Sequence, residues 1–360
     1  MENREPDVED HTIFTEGDDL FEAMNADIGK ARRRILLEMY IFKEDHVGSQ
    51  IIHALLQAAE RGVEVKLSLD ALGSGRVFSQ SAVTVLRNAG VSVCWAQTWN
   101  WRQPWRYQRR DHSKLLVIDD GITYVGGFNI GEESSLRYSG KGRWRDLHIR
   151  LSGPIARRAA RLFESRHAFG RDRVEDEWFG AYLLMSNYGI RCRYRLRCLL
   201  NGRLRHAVSR IWLTTPYFVP DSGTQRRLIS AAQRGVDVRL LVPAKSDIRI
   251  TQWAARMLYE NLLRAGVKIY EYSPQFLHAK TILVDSNWSS IGTANFDYRS
   301  FFLNYDLALI CSSEIICDEL ANMFEINISD SRIVEERVWR SRPYTSRIQE
   351  FLGWVVRRFL

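Results

Sequence analysis

Two histidines, each followed two positions later by a lysine, are the residues of this chain best suited to chemistry. In the stretch HAKTILVDSNWSSIGTAN, His278 and Lys280 occupy alternate positions of an apolar run, so in a strand both side chains point to the same face. An imidazole can act as a nucleophile, an acid or a base near neutral pH. A neighbouring ammonium group attracts phosphate, so the pair favours phosphoryl chemistry.

The same arrangement occurs earlier in the chain, in HSKLLVIDDGITYVGGFN, where His112 and Lys114 have the same spacing. In both copies an aspartate follows the histidine by seven residues and an asparagine by seventeen, giving Asp119 and Asp285, and Asn129 and Asn295. The segments AAERGVEVKLSLD and AAQRGVDVRLLVP, upstream of the two copies, are also similar. The chain therefore contains an internal duplication.

Each copy is predicted to be an α/β domain. Each half has the pattern strand, helix ending at Arg-Gly, strand, helix ending at Ala-Gly, strand, and a hairpin carrying the His-x-Lys pair; glycine-terminated helices before Val-rich strands are typical of α/β layers. Two such halves predict pseudo-twofold symmetry with one active site at their interface. We expect an N-terminal domain over residues 1–170, a C-terminal domain over 171–335 and an amphipathic helical segment over 336–360.

Composition narrows the classes of protein. The chain has 360 residues, 45% hydrophobic, and a net charge of +8, which favours phosphate-bearing partners. Its five cysteines have no C-x-x-C spacing, so neither a zinc site nor a disulfide framework is indicated. The acidic start MENREPDVEDH is not typical of a signal peptide, and no apolar run approaches the ~18–20 residues that span a bilayer. Any contact with a membrane is expected at its surface.

Three interpretations of the histidines were compared. A single histidine beside a strand is usually structural, but the duplication argues against that. A metal site is disfavoured because lysine and asparagine are poor ligands and lysine repels cations. In the third, one imidazole attacks a phosphodiester and the other protonates the leaving oxygen. The lysines and asparagines then bind the non-bridging oxygens, and neither a metal nor a cofactor is needed.

The motifs HSKLLVID with GGFN, and HAKTILVD with GTAN, resemble the paired HxKxxxxD motifs of the phospholipase D superfamily. WRDLHIRLSGP and IGTANFDYRSFFLNYD resemble segments of bacterial cardiolipin synthases of the phospholipase D type. The resemblance extends from about residue 12 to the C-terminus, and is to the short, peripheral form that has no N-terminal transmembrane helices. It implies two phospholipase D-like α-β-α domains.

The resemblance also implies roles for individual residues. His112 and His278 are the expected catalytic pair, with His112 as nucleophile by analogy, although the symmetry of the motifs does not decide between them. The phosphate ligands would be Lys114, Lys280, Asn129 and Asn295. Asp306 is expected to orient one catalytic imidazole and Asp146 to serve the other half. Asp119 and Asp285 belong to the motif, and either a catalytic role or a structural role at a turn fits them.

The leading hypothesis is a phosphatidyltransferase that makes cardiolipin from phosphatidylglycerol and a second phospholipid. A phospholipase D-type hydrolase shares every catalytic residue and stays an alternative, as do a nuclease of the superfamily and a non-catalytic binding protein. The expected partners are phospholipid substrates and an anionic membrane, with no nucleic acid and no metal. The expected location is peripheral, at the cytoplasmic face of the bacterial cell membrane. Nothing in the sequence predicts an oligomeric state.

Three segments have two interpretations each. The tryptophan loop, residues 95–110, is either a buried aromatic loop or an interfacial loop with tryptophans at headgroup depth. Residues 191–200 alternate arginine with other residues like a strand with one basic face, solvated or bound to lipid. Residues 346–360 place an apolar stripe on one side of a helix, packed against the protein or lying on a membrane: Ile348, Phe351, Leu352, Val355 and Phe359.

Overall fold

The computed structural model describes residues 10–169, 176–187 and 194–359. Its first half contains eight strands, β1 His11–Phe14, β2 Arg34–Met39, β3 Glu64–Asp70, β4 Ser92–Ala96, β5 Lys114–Ile118, β6 Ile122–Gly126, β7 Trp144–Arg145 and β8 His148–Ser152. The helices of this half are α1 Gly17–Lys30, α2 His46–Glu60, α3 Gln80–Asn88, α4 Leu136–Ser139 and α5 Pro154–Phe169.

The second half repeats this plan after residue 181. Its strands are β9 Tyr182–Ser186, β10 Arg210–Thr214, β11 Phe218–Val219, β12 Asp237–Pro243, β13 Lys268–Tyr272, β14 Phe276–Leu277, β15 Thr281–Val284, β16 Trp288–Gly292, β17 Phe296–Asp297, β18 Leu307–Cys311 and β19 Ser331–Ile333. Its helices are α6 Arg195–His206, α7 Ser222–Gln233, α8 Arg249–Arg264, α9 Tyr298–Phe302, α10 Glu314–Ser329, α11 Glu336–Arg340 and α12 Tyr344–Val356.

The two main sheets have the same internal order. The first runs β1-β8-β6-β5-β2-β3-β4, and the second runs β9-β18-β16-β15-β10-β12-β13-β19. In each, three parallel strands (β2-β3-β4 and β10-β12-β13) adjoin an antiparallel hairpin, β5-β6 or β15-β16. The matching order confirms the duplicated α/β fold and places both hairpins at equivalent positions.

The two halves form one body through a shared core. The outer face of the first sheet packs on α1, α2 and α3, and that of the second packs on α6, α7 and α8. The inner faces pack on each other and on α5 and α10, in a core that includes Leu115, Val125, Leu283 and Ile291. Because both hairpins contribute to this central core, the ends of β5 and β15 that carry the histidines are held close to each other.

Residues 195–200 contradict the strand predicted for residues 191–200. They begin α6, while residues 191–193 lie outside the described residues. Leu196, Leu200 and Leu204 are buried, and their spacing of four residues places them on one side of a helix. The apolar spacing therefore determines the local structure, and Arg195 and Arg197 form ion pairs with Asp176 and Asp221.

The other two segments are largely exposed. In the tryptophan loop, Trp99, Trp101 and Trp105 are 62%, 75% and 63% exposed, which contradicts a buried aromatic loop. The predicted C-terminal helix is α12, followed by a 3-10 turn at residues 357–359. Its apolar stripe faces away from the protein, since Ile348, Phe351, Leu352 and Val355 are each more than half exposed. The side chain of Phe359 lies outside the described residues.

Candidate active site

His112 lies just before β5, on the edge of the first sheet that faces the second half. Its backbone N–H donates to the carbonyl of Tyr305 at 2.8 Å, and Nδ1 of its ring lies 2.9 Å from Oδ1 of Asp306. Because an ionised carboxylate only accepts hydrogen bonds, Nδ1 carries the hydrogen and Nε2 keeps its lone pair. Thr293 donates to the same Asp306 oxygen at 2.6 Å and fixes the carboxylate.

His278 has the equivalent environment, with the halves exchanged. Its N–H donates to the carbonyl of Arg145 at 2.7 Å, and Nδ1 lies 2.5 Å from Oδ2 of Asp146. The short strands β7 and β14 pair in parallel beside it and join the two halves. Each histidine is therefore held, through main chain and side chain, by two consecutive residues of the other half.

Both lysines are buried next to their own histidines. Lys114 donates to the carbonyl of His112 at 2.9 Å, and Lys280 donates to the carbonyl of His278 and to Asp146 at 3.3 Å. The Lys280 ammonium also lies 2.6 Å from Nδ1 of His278. An ammonium group has no lone pair and only donates, so the hydrogen on Nδ1 goes to the Asp146 carboxylate.

Burial shifts the protonation equilibria of these groups. It lowers the pKa of Lys114 to about 7, with repulsion from Lys280 as the second cause, and it lowers the pKa of Lys280 to about 8 despite the attraction of Asp146. It also lowers the pKa of His278 to about 3, and that of His112 in the same direction, and the adjacent lysines add to both effects. Both imidazoles of the protein alone are therefore neutral at pH 7.

The two predicted asparagines are buried at equivalent ends of β6 and β16. Oδ1 of Asn129 accepts a hydrogen bond from the N–H of Ile41 at 3.3 Å, which fixes the carboxamide and leaves its NH₂ group as a donor. Oδ1 of Asn295 accepts no hydrogen bond from the described residues, and Asn295 lines a small cavity together with Lys280. A phosphate oxygen in this region has amide and ammonium donors beside it.

Asp119 and Asp285 are not in the cleft. Both lie at hairpin turns with left-handed backbone conformations, φ 52° and 56°, at the ends of β5 and β15 remote from the lysines. The Asp119 carboxylate accepts hydrogen bonds from the N–H groups of residues 32–34, and the Asp285 carboxylate accepts from those of residues 208–210. We therefore correct their inclusion among the catalytic residues and assign both a structural role, in which they tie a hairpin to the start of the neighbouring strand.

Three site residues were not among those predicted. The ring of Tyr40 meets His112 edge-on, with centroids 4.8 Å apart, and Lys114 Nζ lies 5.3 Å from the centre of the same ring. In the other half, Trp144 and Tyr217 lie against His278, with ring centroids 5.0 Å and 6.4 Å away. Tyr40 and Tyr217 follow the equivalent strands β2 and β10. This shared position could have identified them, but an aromatic residue after a buried strand does not by itself indicate a catalytic site.

Among the described residues, no group of three or more histidine, cysteine, aspartate or glutamate side chains is arranged to hold a metal ion. In the same residues, no helix has both the length and the hydropathy needed to cross a membrane. The buried charged residues of this site are Lys114, Lys280, Asp146 and Asp306.

Comparison with known proteins agrees with this geometry. A family model described as "Cardiolipin synthase, PLD-like domain" matches residues 24–142 and 200–327, one match in each half. The crystal structure of a phosphatidylserine synthase from Haemophilus influenzae superposes with a TM-score of 0.73 at 12% identity, covering 97% of this chain and 95% of that one. This likeness shows the fold alone, and the two family matches show that each half contains a PLD-like domain.

Two curated relatives are more similar in sequence. Cardiolipin synthase A of Klebsiella pneumoniae subsp. pneumoniae is 32% identical over 357 residues, 94% of this chain and 73% of that protein. Cardiolipin synthase A of Pseudomonas fluorescens is 33% identical over 368 residues, 97% of this chain and 74% of that protein. The chain belongs to the cardiolipin synthase family of proteins with phospholipase D-like domains.

Proposed function

We propose that this protein is a phosphatidyltransferase that makes cardiolipin from phosphatidylglycerol and a second phospholipid through a phospho-histidine intermediate. The observation that carries the proposal is the pair of buried His–Asp hydrogen bonds, His112 with Asp306 and His278 with Asp146, each formed between the two halves. Family membership and the name of the curated relatives support the choice of cardiolipin as product.

In the first step, Nε2 of His112 attacks the phosphorus of the donor phospholipid. The P–N bond forms as the bond from phosphorus to the leaving alcohol oxygen breaks, and His278 gives its proton to that oxygen. The negative charge of the bound phosphodiester raises the pKa of His278, which supplies the protonated ring that this step needs. Asp306 stabilises the positive charge that develops on the His112 ring.

In the second step, a hydroxyl group of phosphatidylglycerol enters the place of the leaving alcohol. His278 takes its proton, the oxygen attacks phosphorus, and the P–N bond breaks to restore neutral His112. In this mechanism Lys114, Lys280, Asn129 and Asn295 donate hydrogen bonds to the non-bridging oxygens as charge redistributes in both steps.

The test is lipid mass spectrometry after incubation of purified protein with phosphatidylglycerol, alone and with phosphatidylethanolamine. We expect cardiolipin in at least one mixture, and its absence from both would contradict the proposal. Phosphatidic acid as the only product would indicate instead that water resolves the intermediate, which is the hydrolase alternative. The His112→Ala variant is the control for contaminating enzyme, because it lacks the attacking nitrogen.

We also infer that the enzyme works as a peripheral protein on a membrane that contains anionic phospholipid. The net charge of +8 and the phospholipid substrates favour this location. Co-sedimentation with vesicles of phosphatidylcholine and phosphatidylglycerol, compared with phosphatidylcholine alone, tests it. Equal binding to both kinds of vesicle, or to neither, would contradict the inference.

A further inference from the structure

We propose that the tryptophan loop and α12 form one docking surface that places the cleft against an anionic lipid bilayer. The inference rests on the proposed function, since it names the surface across which lipid substrates reach the histidines. Three independent observations carry it: the exposed apolar stripe of α12, the exposure of the loop tryptophans, and the contacts that connect both segments to the cleft.

Helix α12 contacts the protein through Glu350, Gly353 and Trp354, and most of its apolar stripe lies outside this contact. Glu350 is buried and pairs with Arg342 at 2.8 Å, and Gly353 fits so closely against α8 that an added Cβ atom would lie 2.6 Å from the backbone nitrogen of Ala254. The apolar stripe of Ile348, Phe351, Leu352 and Val355 remains 52–60% exposed. An amphipathic helix normally buries its apolar side, so the described part of the protein leaves this stripe to an external apolar phase.

The tryptophan loop presents a second exposed apolar group. Trp99, Trp101 and Trp105 are more than three-fifths exposed, and the guanidinium of Arg102 lies 5.0 Å from the centre of the Trp101 ring. Tryptophan rings with neighbouring arginines suit the boundary between headgroups and acyl chains, where the rings are half-buried and the cations meet phosphate.

Both segments adjoin the opening of the cleft. Arg299 of α9 donates to the carbonyl of Gln108 at 2.8 Å and fixes the end of the tryptophan loop, and α9 packs against the turn at residues 357–359 that follows α12. On the other side, the hydroxyl of Tyr217 donates to Asp247 at 2.8 Å, just before α8 begins, and the first turn of α8 contacts Gly353. Since Tyr217 also lies against His278, a chain of contacts through Asp247 and α8 connects α12 to a catalytic ring.

The positive charge of both segments favours an anionic membrane over a second copy of the chain as the partner of this surface. Residues 97–110 contain four arginines and no acidic residue, a net charge of +4. Residues 336–360 contain six arginines and two glutamates, also a net charge of +4. A second copy of this chain would present the same positive charge and be repelled, whereas an anionic bilayer offers negative headgroups and an apolar interior together.

Vesicle flotation tests the surface with two double variants, Trp101→Ser with Trp105→Ser, and Phe351→Ser with Leu352→Ser. The matched control is Val208→Ser with Ile315→Ser, because these side chains are 82% and 67% exposed. Val208 precedes the start of β10 and Ile315 follows the end of β18, so both lie at the strand ends opposite to the cleft. On vesicles of phosphatidylcholine and phosphatidylglycerol, we expect each test variant to partition about tenfold more weakly or worse, and the control to float like the wild type.

A second measurement separates docking from catalysis. Cardiolipin formation is followed on the same vesicles and on phosphatidylglycerol dispersed in detergent micelles. The test variants should lose about tenfold in rate on vesicles and retain the wild-type rate in micelles. Unchanged flotation of either variant overturns the proposal, as does conversion of a dimer to a monomer with vesicle binding intact, which would assign the surface to a second copy. If the wild type forms cardiolipin neither on vesicles nor in micelles, the proposed function fails, but the flotation result still decides the docking surface.

Discussion

Nδ1 of His112 lies 2.9 Å from Oδ1 of Asp306, although the two residues are 194 positions apart and belong to different halves of the duplicated chain. His278 and Asp146 repeat the relationship in the opposite direction. Neither half therefore contains a complete histidine–carboxylate pair. Because each histidine is also anchored by a main-chain hydrogen bond from the other half, docking of the two sheets and assembly of the site are one event.

Asp306→Asn should remove most activity and leave the fold intact. The carboxamide oxygen can still accept from Nδ1 of His112 and from Thr293, but the variant lacks the negative charge that stabilises the imidazolium formed when His112 attacks phosphorus. We expect kcat to fall by about 100- to 10,000-fold, with little change in KM. Steady-state kinetics with the thermal unfolding midpoint as control checks this, and near-normal kcat would remove Asp306 from the mechanism.

Gly127→Ala should disable the other pair by a steric route. A Cβ atom at Gly127 would lie 2.0 Å from Oδ1 of Asp146, the carboxylate that holds His278. We expect the displaced carboxylate to cost at least about tenfold in kcat. Gly29→Ala in α1 is the matched control, because no atom lies within 4 Å of its added Cβ. Equal activity of the two variants would contradict the importance of the His278–Asp146 contact.

Asp285→Ala should affect stability and not chemistry. Its carboxylate accepts hydrogen bonds from the backbone N–H groups of residues 208–210. The loss of these hydrogen bonds should lower the free energy of unfolding by about 1–3 kcal/mol. Turnover well below the unfolding temperature should stay close to that of the wild type. Urea unfolding and kinetics on one preparation check both parts, and a large fall in kcat for a folded variant would restore a catalytic role.

Asp285 should also make stability depend on pH in the acid range. Burial raises the pKa of Asp285, but the hydrogen bonds that its carboxylate accepts from Ser209, Val208 and Arg210 have the larger combined effect. The pKa of Asp285 is therefore below its usual value. A carboxyl with a lowered folded pKa stabilises the protein above its unfolded pKa, and this contribution is lost as the pH falls through the folded value. The difference in unfolding free energy between wild type and Asp285→Ala should therefore shrink in acid. A difference independent of pH would contradict this account.

The alkaline limb of activity should reflect the two lysines. Burial and mutual repulsion lower the pKa of Lys114 to about 7, and burial lowers that of Lys280 to about 8, so both ammonium groups are charged below this range and neutral above it. As the pH rises through 7 to 8, the site loses positive charge, and kcat/KM for an anionic phosphodiester should fall. The measurement is kcat/KM against pH on micellar substrate. A profile that stays flat across this interval would contradict the proposed phosphate-binding role.

Much of the fold was predictable because the duplication reports the same architecture twice. The equivalent spacing of His112 and His278 to their lysines and asparagines identified both hairpins, and the glycine-terminated helices identified the parallel strands. The sequence could not show that the carboxylates cross between halves, since that depends on how the two sheets dock. Thr293 and Gly127 were missed for a different reason. They occupy equivalent positions of the two motifs, but within its own half Thr293 bonds Asp306 and Gly127 makes room for Asp146, and the spacing of the motif reports neither contact.

Local patterns failed where two periodicities competed or where burial decided the role. In residues 191–200, alternating arginines suggested a strand, but from residue 195 onward Leu196, Leu200 and Leu204 form a helical stripe that buries apolar area. Asp119 was classed with the catalytic residues by its place in the motif. In the structure its left-handed turn and three backbone hydrogen bonds give it a structural function, which the linear motif does not distinguish from a catalytic one.

The most direct test of the central claim is to trap the covalent intermediate. Protein in turnover with short-chain phosphatidylglycerol is quenched with alkaline denaturant, because phosphoramidate bonds are labile in acid, and the peptides are analysed by mass spectrometry. The account predicts a phosphatidyl adduct on His112, and none in the His112→Ala protein. Turnover with both histidines unmodified would contradict a mechanism through a P–N bond, and an adduct on His278 alone would reverse the assigned roles.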